Sequence, residues 1–384
     1  MTRPRVTLLV HDLAGNAIVR AAPLAQALSR ELEVHLAGLL LSGPDVYAPY
    51  RGRFPVHALR CRPLLPAVLA AAPRLARLVR DSDLLYACKP LFTTLLPARL
   101  AAAGRGTPVL LDVEDDEWSS RAVDAPGHGP AGWARRVADT HGLWARAAHP
   151  LTRGVAGVTV SSRALEARYG GTLLRHGPDS VAFNPDRPEL EDRGALRWGF
   201  ELPLHRRLAL FAGVPRPHKG WDALLRALAR PEAAEWDLVA AGAHRPEHDA
   251  AAAALGRRFH ALGPIGNTRM PALLAAVDAV PVLQRDVPFA RAQLPAKALE
   301  AMAMALPVAG TTVGDLPELL GEGRGWLVPP DDPAALAAAL AEIAAAPEEA
   351  RRRGRRARLW FLREASVDAI ARRLLPVARA ALGG

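Results

Sequence analysis

A short basic loop that follows a predicted strand is the first candidate for chemistry. Residues 211–220 read FAGVPRPHKG and carry Arg216 and Lys219 just before a predicted helix. Free backbone N–H groups and the dipole at a helix N-terminus attract anions, and nearby cations strengthen that attraction. The loop is therefore a candidate diphosphate site. The alternative is an ordinary turn between a strand and a helix, with basic side chains that are merely exposed.

An acidic run at the end of another predicted strand is the second candidate. Residues 112–117 read DVEDDE, five carboxylates in six positions. Such close carboxylates repel one another unless they are solvated or have a cationic partner. Asp112 and Glu114 could act as a general base or bind hydroxyl or amino groups of a second substrate, and the run could also hold a metal ion. A solvated loop is the third interpretation, and we favour the substrate role.

The end of the first predicted strand is the third candidate. Residues 11–17 read HDLAGNA, and Gly15 would let the backbone approach a ligand, although any tight turn can use a glycine. In an open parallel sheet this edge faces the ligand crevice.

Elsewhere, the spacing of His244, His248 and Asp249 could suit a metal ion, but a proline interrupts it and no distant further ligand accompanies it. We therefore expect no metal site.

Short apolar runs alternate with amphipathic stretches along the chain, and these elements must position the candidates. Strands are predicted over residues 5–10, 34–40, 83–87, 108–112, 157–160, 208–212, 237–241, 259–262, 279–283, 307–310 and 325–328. Helices are predicted over residues 17–31, 64–80, 93–103, 131–148, 220–229, 270–276, 295–305, 315–320 and 333–346. This alternation indicates parallel sheets covered by helices on both faces. A less periodic segment at 177–204 is the candidate linker.

The composition is that of a folded protein with two domains. The chain has 384 residues, more than one domain usually holds, and 50% of them are hydrophobic. Its two cysteines are too few for a disulfide framework, and no membrane-length apolar window or signal segment is present. We therefore expect a cytoplasmic protein with domains at 1–180 and 181–384, with the option that the last helix packs back on the first domain.

The chain carries an excess of positive charge. Its formal net charge is +10, which favours phosphorylated substrates, polyanions or anionic lipid surfaces. Residues 64–80 are apolar but carry Arg74, Arg77 and Arg80 at helical spacing on one side. A basic amphipathic helix of this kind can lie on a membrane, although a packed surface helix with solvated arginines has the same pattern. We keep a peripheral contact with an anionic membrane as an option and expect no nucleic-acid partner.

The stretch 294–320, LPAKALEAMAMALPVAGTTVGDLPELL, is the most specific pattern in the chain. It resembles glycosyltransferase family 4, retaining enzymes of the GT-B fold in which a Glu-Ala-Met-Ala helix precedes a Pro-Val strand and a glycine turn that ends in Pro-Glu. These pieces stand here at 300–303, 307–308 and 314–318. Further pieces in family order extend the resemblance over most of the C-terminal half, at 219–220, 262–263, 278 and 325–331.

The resemblance implies an α/β architecture of two Rossmann-like, doubly wound domains facing across a cleft. The second domain would bind a nucleoside diphosphate sugar as donor substrate, without a separate cofactor. The implied donor contacts are the ribose hydroxyls with Glu300, the diphosphate with Arg216 and Lys219, and the nucleobase with main-chain groups from Gly263 to Ile265. Carboxylates accept paired hydroxyls and cations stabilise a leaving phosphate, so the residue types agree. Lys297, one turn before Glu300, could add a phosphate contact or be merely solvated.

The chain departs from the family pattern at two positions. The family has a first glutamate eight positions before the second, where this sequence has Ala292, and an arginine five positions before the lysine, where it has Val214. Asp286 or Arg291 could take over the missing sugar contact, and Arg216 could stand in for the arginine.

The resemblance implies transfer of a hexose-like residue to a hydroxyl acceptor, with retention at the anomeric carbon and without a metal ion. The acceptor would be a glycan, a lipid-linked molecule or a small natural product, bound in the N-terminal half, where the resemblance is looser. Two alternatives stand beside it. One is a sugar-nucleotide epimerase of the same fold, and the other is a non-catalytic glycosyltransferase-like interaction subunit, which the absence of a glutamate at Ala292 would suit.

Overall fold

The computed structural model describes residues 3–117, 143–243 and 246–383, which form two compact units. The first unit holds the residues up to 176 together with 292–294 and the C-terminal segment from 367 onward. The second holds 177–291 and 295–366. The domain limits proposed from the sequence, 1–180 and 181–384, have their boundary close to this division, and the last helix is counted with the first unit.

The first unit is built on a parallel sheet of seven described strands in the order β3-β2-β1-β4-β5-β6-β7. These strands are β1 (Arg5–Val10), β2 (Glu33–Leu40), β3 (Val56–Arg60), β4 (Leu84–Cys88), β5 (Val109–Val113), β6 (Gly157–Val160) and β7 (Thr172–Leu173). The central strands β4 and β5 are buried along their whole length. Their continuous apolar runs are typical of strands covered on both faces.

Helices cover both faces of this sheet. They are α1 (Ile18–Leu28), α2 (Leu65–Leu78), α3 (Leu95–Ala102), α4 (Leu143–Ala148), α5 (Arg163–Tyr169) and the C-terminal α15 (Val367–Gly383). One apolar core joins α1 and α15 to the sheet, and a second joins α2 and α3 to its other face. Burial on both faces fixes the direction and register of the central strands, so their carboxyl ends meet at one edge.

The second unit repeats this plan. Its strands are β8 (Arg207–Ala212), β9 (Trp236–Ala241), β10 (Phe259–Gly263), β11 (Val280–Val282), β12 (Val308–Thr311) and β13 (Trp326–Val328). They form two parallel ladders, β10-β9-β8 and β11-β12-β13, which a bridge between Ala209 and Ala279 links. The strand order therefore reverses beside the first strand of each unit, between β1 and β4 and between β8 and β11. Ligands of open α/β sheets bind outside the carboxyl ends of the strands at such a reversal.

The remaining helices lie between residues 193 and 364. They are α6 (Arg193–Gly199), α7 (Trp221–Leu228), α8 (Pro246–Ala252), α9 (Met270–Ala276), α10 (Pro288–Ala292), α11 (Ala296–Ala303), α12 (Leu316–Leu320), α13 (Pro333–Ala345) and α14 (Pro347–Glu364). Among the described residues, no helix is long and apolar enough to cross a bilayer.

The structure contains every strand that the sequence predicted, with ends shifted by at most one residue, and adds β3 and β7. Strand β3 lies at the sheet edge and is only partly buried, so it lacks the apolar run that marks the others. The predicted linker contains the unpredicted helix α6, which Asp192 caps by accepting a hydrogen bond from the Ala195 N–H. Of the helix predicted over 131–148, residues 131–142 lie outside the described ranges.

Candidate functional site

Three neighbouring strands of the second unit end at glycines, so these strand ends carry no side chains of their own. Gly213, Gly242 and Gly263 have φ angles of 127°, 147° and 64° after β8, after β9 and at the end of β10. Side chains rarely tolerate such angles. A Cβ atom on Gly242 would lie 2.4 Å from the Gly213 carbonyl oxygen, whereas one on Gly263 would meet nothing within 4 Å. The first two turns therefore pack backbone against backbone, and the third offers open main chain to a ligand.

Lys219 lies over the same edge. A Cβ atom on Gly213 would be 3.2 Å from Lys219 Nζ, so the ammonium group lies at the carboxyl end of β8. The loop then passes Gly220, whose φ of 62° is left-handed, into α7. A Cβ atom there would be 2.7 Å from Cβ of Leu283, just beyond β11. The loop thus crosses the point where the strand order reverses, while the side chain of Arg216 is exposed at its rim.

The two charged residues predicted on α11 pair with each other. Lys297 Nζ lies 2.8 Å from both carboxylate oxygens of Glu300, whose side chain is 16% exposed. Lys297 lies in the first turn of the helix, whose N-terminus favours anions, and Glu300 lies one turn later. Ile265 is half-buried two residues after Gly263. A ligand that contacts both Lys297 and Glu300 must therefore either bind beside their ion pair or break it.

The segment that departs from the family pattern contains a second ion pair. Arg291 Nη2 donates to Asp286 Oδ2 at 2.8 Å, and both side chains are exposed. The pairing holds the pKa of Asp286 below its usual value, through its hydrogen bond with Arg291. Ala292, where the family has its first glutamate, is buried. The two candidates for the missing sugar contact are therefore engaged with each other.

In the first unit, the predicted site residue Asp112 is fully buried in a bidentate ion pair. Arg20 Nε and Nη2 donate to its two carboxylate oxygens at 3.0 and 2.7 Å, and the Thr159 hydroxyl donates to Oδ1 at 2.6 Å. Arg20 also donates to the carbonyl of Leu174 at 2.7 Å. Burial opposes the charge on Arg20, but Asp112 outweighs it and raises the pKa of the guanidinium. This pair joins α1 to β5 and to the residue after β7.

The rest of the acidic run surrounds a lysine that follows β4. Lys89 Nζ lies 2.6, 3.1 and 3.6 Å from carboxylate oxygens of Glu117, Asp115 and Glu114. Burial would lower the pKa of Lys89, but the three carboxylates outweigh it and hold that pKa well above its usual value. Lys89 adopts a left-handed φ of 88°, which costs a non-glycine residue energy and is often found at functional sites. The close carboxylates thus have the cationic partner that their spacing requires.

Glu114, the third residue of the acidic run, has a pKa close to neutrality. Burial raises its pKa to about 7, against the opposing effect of Lys89. His176 Nε2 lies 3.7 Å from Glu114 Oε1, and His176 Nδ1 lies 2.9 Å from Arg20 Nη1. Burial, with the charges of Arg20 and Lys89, holds the pKa of His176 well below its usual value, so this imidazole is neutral. A carboxyl group that titrates near neutrality suits general acid–base chemistry.

Gly15 lies in the turn after β1, against Asp12. Asp12 Oδ1 accepts hydrogen bonds from the N–H groups of Ala14 and Leu41, both at 3.0 Å. A Cβ atom on Gly15 would lie 2.8 Å from the other carboxylate oxygen of Asp12. The glycine therefore allows the turn to close over a buried carboxylate.

The fold brings the predicted residues to the carboxyl ends of two sheets. Gly15, Asp112 and Glu114 belong to the first unit; Arg216, Lys219, Gly263, Ile265, Lys297 and Glu300 belong to the second. The sequence reading missed Arg20, Lys89 and His176. Two of these carried a signal: Arg20 is a charge inside an apolar helix, and Lys89 lies two positions after a predicted strand.

Metal ligands were considered at two places in the sequence. Within the described residues, no group of three or more His, Cys, Asp or Glu side chains is arranged to hold a metal ion. The carboxylates of the acidic run pair with Arg20, Lys89 and Arg168 instead. Of the other proposed set, His248 and Asp249 lie on α8, whereas residue 244 lies outside the described residues.

Part of the chain matches a known protein family. Residues 206–346 match the family model described as glycosyl transferases group 1. The chain is 34% identical over 215 residues to a D-inositol 3-phosphate glycosyltransferase of Streptomyces scabiei, covering 49% of this chain and 47% of that protein. It is 30% identical over 277 residues to the protein of that name from Streptomyces avermitilis, covering 67% of this chain and 57% of the relative. The chain thus spans about half the length of the curated relatives it matches.

The fold of the whole chain resembles that of solved glycosyltransferases. The structure of Anabaena Alr3699/HepE in complex with UDP and glucose has a TM-score of 0.73 and 17% sequence identity, and the match covers 97% of this chain and 99% of that one. At that identity the likeness concerns the fold alone. The predicted fold class, α/β of the GT-B type with two doubly wound units, is confirmed.

Proposed function

We propose that this chain is a retaining glycosyltransferase of family 4 that moves a sugar from a nucleoside diphosphate sugar to an uncharged or cationic hydroxyl acceptor, without a metal ion. The observation that carries the proposal is the open, glycine-lined edge of the second unit with Lys219 over it. This edge lies within the segment that matches the glycosyl transferases group 1 model. The N-terminus of α7 and the ammonium group of Lys219 together would form an anion site.

The donor is proposed to lie along this edge with its diphosphate at Lys219 and Arg216. The nucleobase would stack beside Gly263 and Ile265, where the main chain is open. Glu300 would accept the ribose hydroxyls once Lys297 leaves its carboxylate and turns to a phosphate oxygen. The pair is only partly buried, so the exchange breaks one ion pair and forms another. HepE binds UDP and glucose in its solved complex, which makes UDP-sugars the first donors to test.

The acceptor is proposed to bind at the acidic edge of the first unit. Among the described residues, Asp112 and the four acidic residues of 114–117 face the cations of Arg20, Lys89 and Arg168. This surplus of negative charge would repel a phosphorylated acceptor and favour a neutral polyol or an amine. The chain would then differ in acceptor from relatives named for D-inositol 3-phosphate.

Glu114, rather than Asp112, is proposed to face the acceptor. The carboxylate of Asp112 is fully buried and occupied by Arg20 and Thr159, which suits a positioning role. Glu114 is 19% exposed and has a pKa of about 7. It would hold the acceptor hydroxyl, while the departing phosphate takes the hydroxyl proton as the new glycosidic bond forms. Lys219 and Arg216 would stabilise the negative charge on the leaving diphosphate.

A membrane contact is proposed for the exposed side of α2. Leu64, Leu69 and Leu78, in or directly before this helix, are 42%, 40% and 45% exposed. Arg74, Arg77 and Arg80 are exposed beside them. Such a surface binds anionic lipid through apolar insertion and charge. Co-sedimentation with anionic vesicles should fall in an Arg74→Gln/Arg77→Gln variant and not in Arg226→Gln, which removes an exposed arginine elsewhere.

Product analysis tests the proposed reaction. The purified chain is incubated with a panel of nucleoside diphosphate sugars, UDP-sugars first, together with neutral, amine-bearing and phosphorylated acceptors. We expect release of nucleoside diphosphate with formation of a glycoside of retained anomeric configuration, unaffected by chelator. Conversion of the donor without an acceptor would favour an epimerase, and the absence of any turnover or nucleotide binding would favour an interaction subunit.

A further inference from the structure

A basic hollow lies at the opposite edge of the second sheet, where β8, β9 and β11 begin. This hollow, which we call the amino-edge basin, has a volume of about 680 Å³ and is open to solvent. Its lining includes Arg193, His205, Arg206, Arg207 and Asp278. Strand β8 has six residues, so the basin lies about 20 Å from the edge that carries Lys219. It therefore cannot share a ligand's phosphates with the proposed donor site.

The guanidinium groups of the basin are held in place by the protein. Arg193 donates to Asp278 at 2.7 Å, Arg206 donates to the buried Asp237 at 2.8 Å, and Arg207 donates to the carbonyl of Ala344 at 2.8 Å. Rigid guanidinium groups lose less entropy when they bind a ligand. The basin is thus organised before any ligand arrives.

Each of these arginines keeps hydrogen-bond donors available. Among the described residues, Nη1 of Arg193, Arg206 and Arg207 makes no hydrogen bond, and these side chains are 44%, 39% and 35% exposed. The exposed imidazole of His205 also has no partner in the described part of the chain. Guanidinium forks match phosphate oxygens in geometry and charge.

The charge balance of the basin favours an anion. Arg197, which organises the floor of the basin, is mostly buried and donates to four carbonyls and to Asp278. Four arginines therefore face three carboxylates, those of Asp278, Asp237 and Glu235. Asp278 is shared by Arg193 and Arg197, so its single charge does not neutralise both.

We propose that the amino-edge basin is a second anion site, which binds a phosphate-bearing ligand through Arg193, His205, Arg206 and Arg207. The ligand is a free phosphate or pyrophosphate group or the headgroup of a phospholipid. Leu204, 53% exposed, lines the same hollow and gives a lipid-borne phosphate an apolar contact beside the charges. The site does not depend on the transferase activity proposed above.

Calorimetric titration with inorganic pyrophosphate tests the site on the full chain. The test variant is His205→Gln/Arg207→Gln, which leaves Arg197 and the buried Asp237 pair intact. We expect its affinity at one pyrophosphate site to fall about tenfold or more, because the variant loses hydrogen bonds between charged groups. His205→Gln alone, at an exposed residue without a partner, should weaken the same site several-fold without affecting folding. Arg226→Gln, an exposed charge outside the basin, should bind like the wild type.

A second arm of the experiment identifies the source of the phosphate. Vesicles of phosphatidylcholine with and without phosphatidic acid are sedimented with the same variants. If the basin variants lose binding of pyrophosphate, the ligand is a soluble phosphate. If they lose sedimentation that depends on phosphatidic acid, the ligand is a lipid headgroup. The proposal is overturned if both basin variants bind pyrophosphate and vesicles as the wild type does. The Lys219→Ala variant distinguishes the basin from the proposed donor site, because it should leave binding of pyrophosphate at the basin unchanged.

Discussion

The two carboxyl edges of this protein share a strand order and differ in chemistry. The edge of the first unit is filled with side chains, with Asp112 bound to Arg20 and a lysine among carboxylates. The edge of the second unit is lined by glycines, with Lys219 over an open backbone. The fold thus decides where a ligand can bind, while the residues at the strand ends decide which ligand suits each edge. A preformed ion-pair network suits selection of an acceptor, and open main chain suits a large anionic donor.

Removal of Arg20 should produce the largest effect and should act on stability. Arg20→Met leaves the fully buried carboxylate of Asp112 without its cation, so we expect a loss of about 3–5 kcal/mol in the free energy of unfolding. Urea denaturation measures this loss. The double variant Arg20→Met/Asp112→Leu removes both charges and should recover part of it. If Arg20→Met unfolds like the wild type, the buried pair does not hold the first edge together.

The Lys219→Ala substitution should impair the proposed donor site of the second unit without affecting the fold. The side chain lies at a strand end rather than in a core, so the melting temperature should change little. Loss of a cation that stabilises the leaving phosphate should lower kcat about 100-fold to 1,000-fold. Steady-state kinetics on a donor identified by product analysis measure this loss, with Arg226→Gln as the charge-matched control. Unaltered kcat in a folded Lys219→Ala protein would remove this residue from the proposed site.

Glu114→Gln should alter the pH dependence of the reaction. Because the pKa of Glu114 is raised to about 7, its carboxylate form dominates above that pH and its acid form below it. If the carboxylate holds the acceptor, kcat/KM for the acceptor should rise through pH 7 in the wild type. The variant should lose this rise and be about 100-fold slower at pH 8. A variant that retains the same pH profile would exclude Glu114 as the titrating group.

Gly15→Ala should have the smallest effect of the four. The added methyl group would lie 2.8 Å from an oxygen of Asp12 and 3.2 Å from the Ser42 hydroxyl. We expect a loss of about 1–2 kcal/mol, because overpacking forces neighbours to shift. Thermal denaturation measures it, and Gly199→Ala, where a Cβ atom would meet nothing within 4 Å, is the matched control. Equal melting temperatures for the two variants would show that the turn after β1 has room for a side chain.

The sequence predicted the framework because its main signals are local. Apolar runs mark β1, β5 and β8, and polar residues one to four positions after these strands, including Glu114 and Arg216, indicate the binding edge. Within each unit, parallel topology then brings the carboxyl ends of neighbouring strands to one edge without further information. The two doubly wound sheets and the position of most candidate residues therefore followed from short stretches of chain.

The hydrogen-bond and ion-pair partners of these residues could not be predicted from the sequence, because most of them come from distant parts of the chain. Arg20 and Asp112 are 92 positions apart, and Arg20 and His176 are 156 apart. No spacing rule links such positions. The sequence therefore predicts that Asp112 is available to a substrate, whereas in the fold Arg20 and Thr159 engage its carboxylate. The pairing of Lys297 with Glu300 is local, yet its geometry depends on rotamers that sequence patterns do not determine.

Equilibrium binding of a nucleoside diphosphate tests the central claim, that the donor binds at the open edge of the second unit. Calorimetric titration of wild type, Lys219→Ala and Glu114→Gln with UDP, and then with the other nucleoside diphosphates, gives three dissociation constants under one condition. We predict that Lys219→Ala weakens binding about tenfold or more and that Glu114→Gln leaves it unchanged. Equal binding by wild type and Lys219→Ala, or a comparable loss in Glu114→Gln, would contradict the assignment of the donor to the second unit.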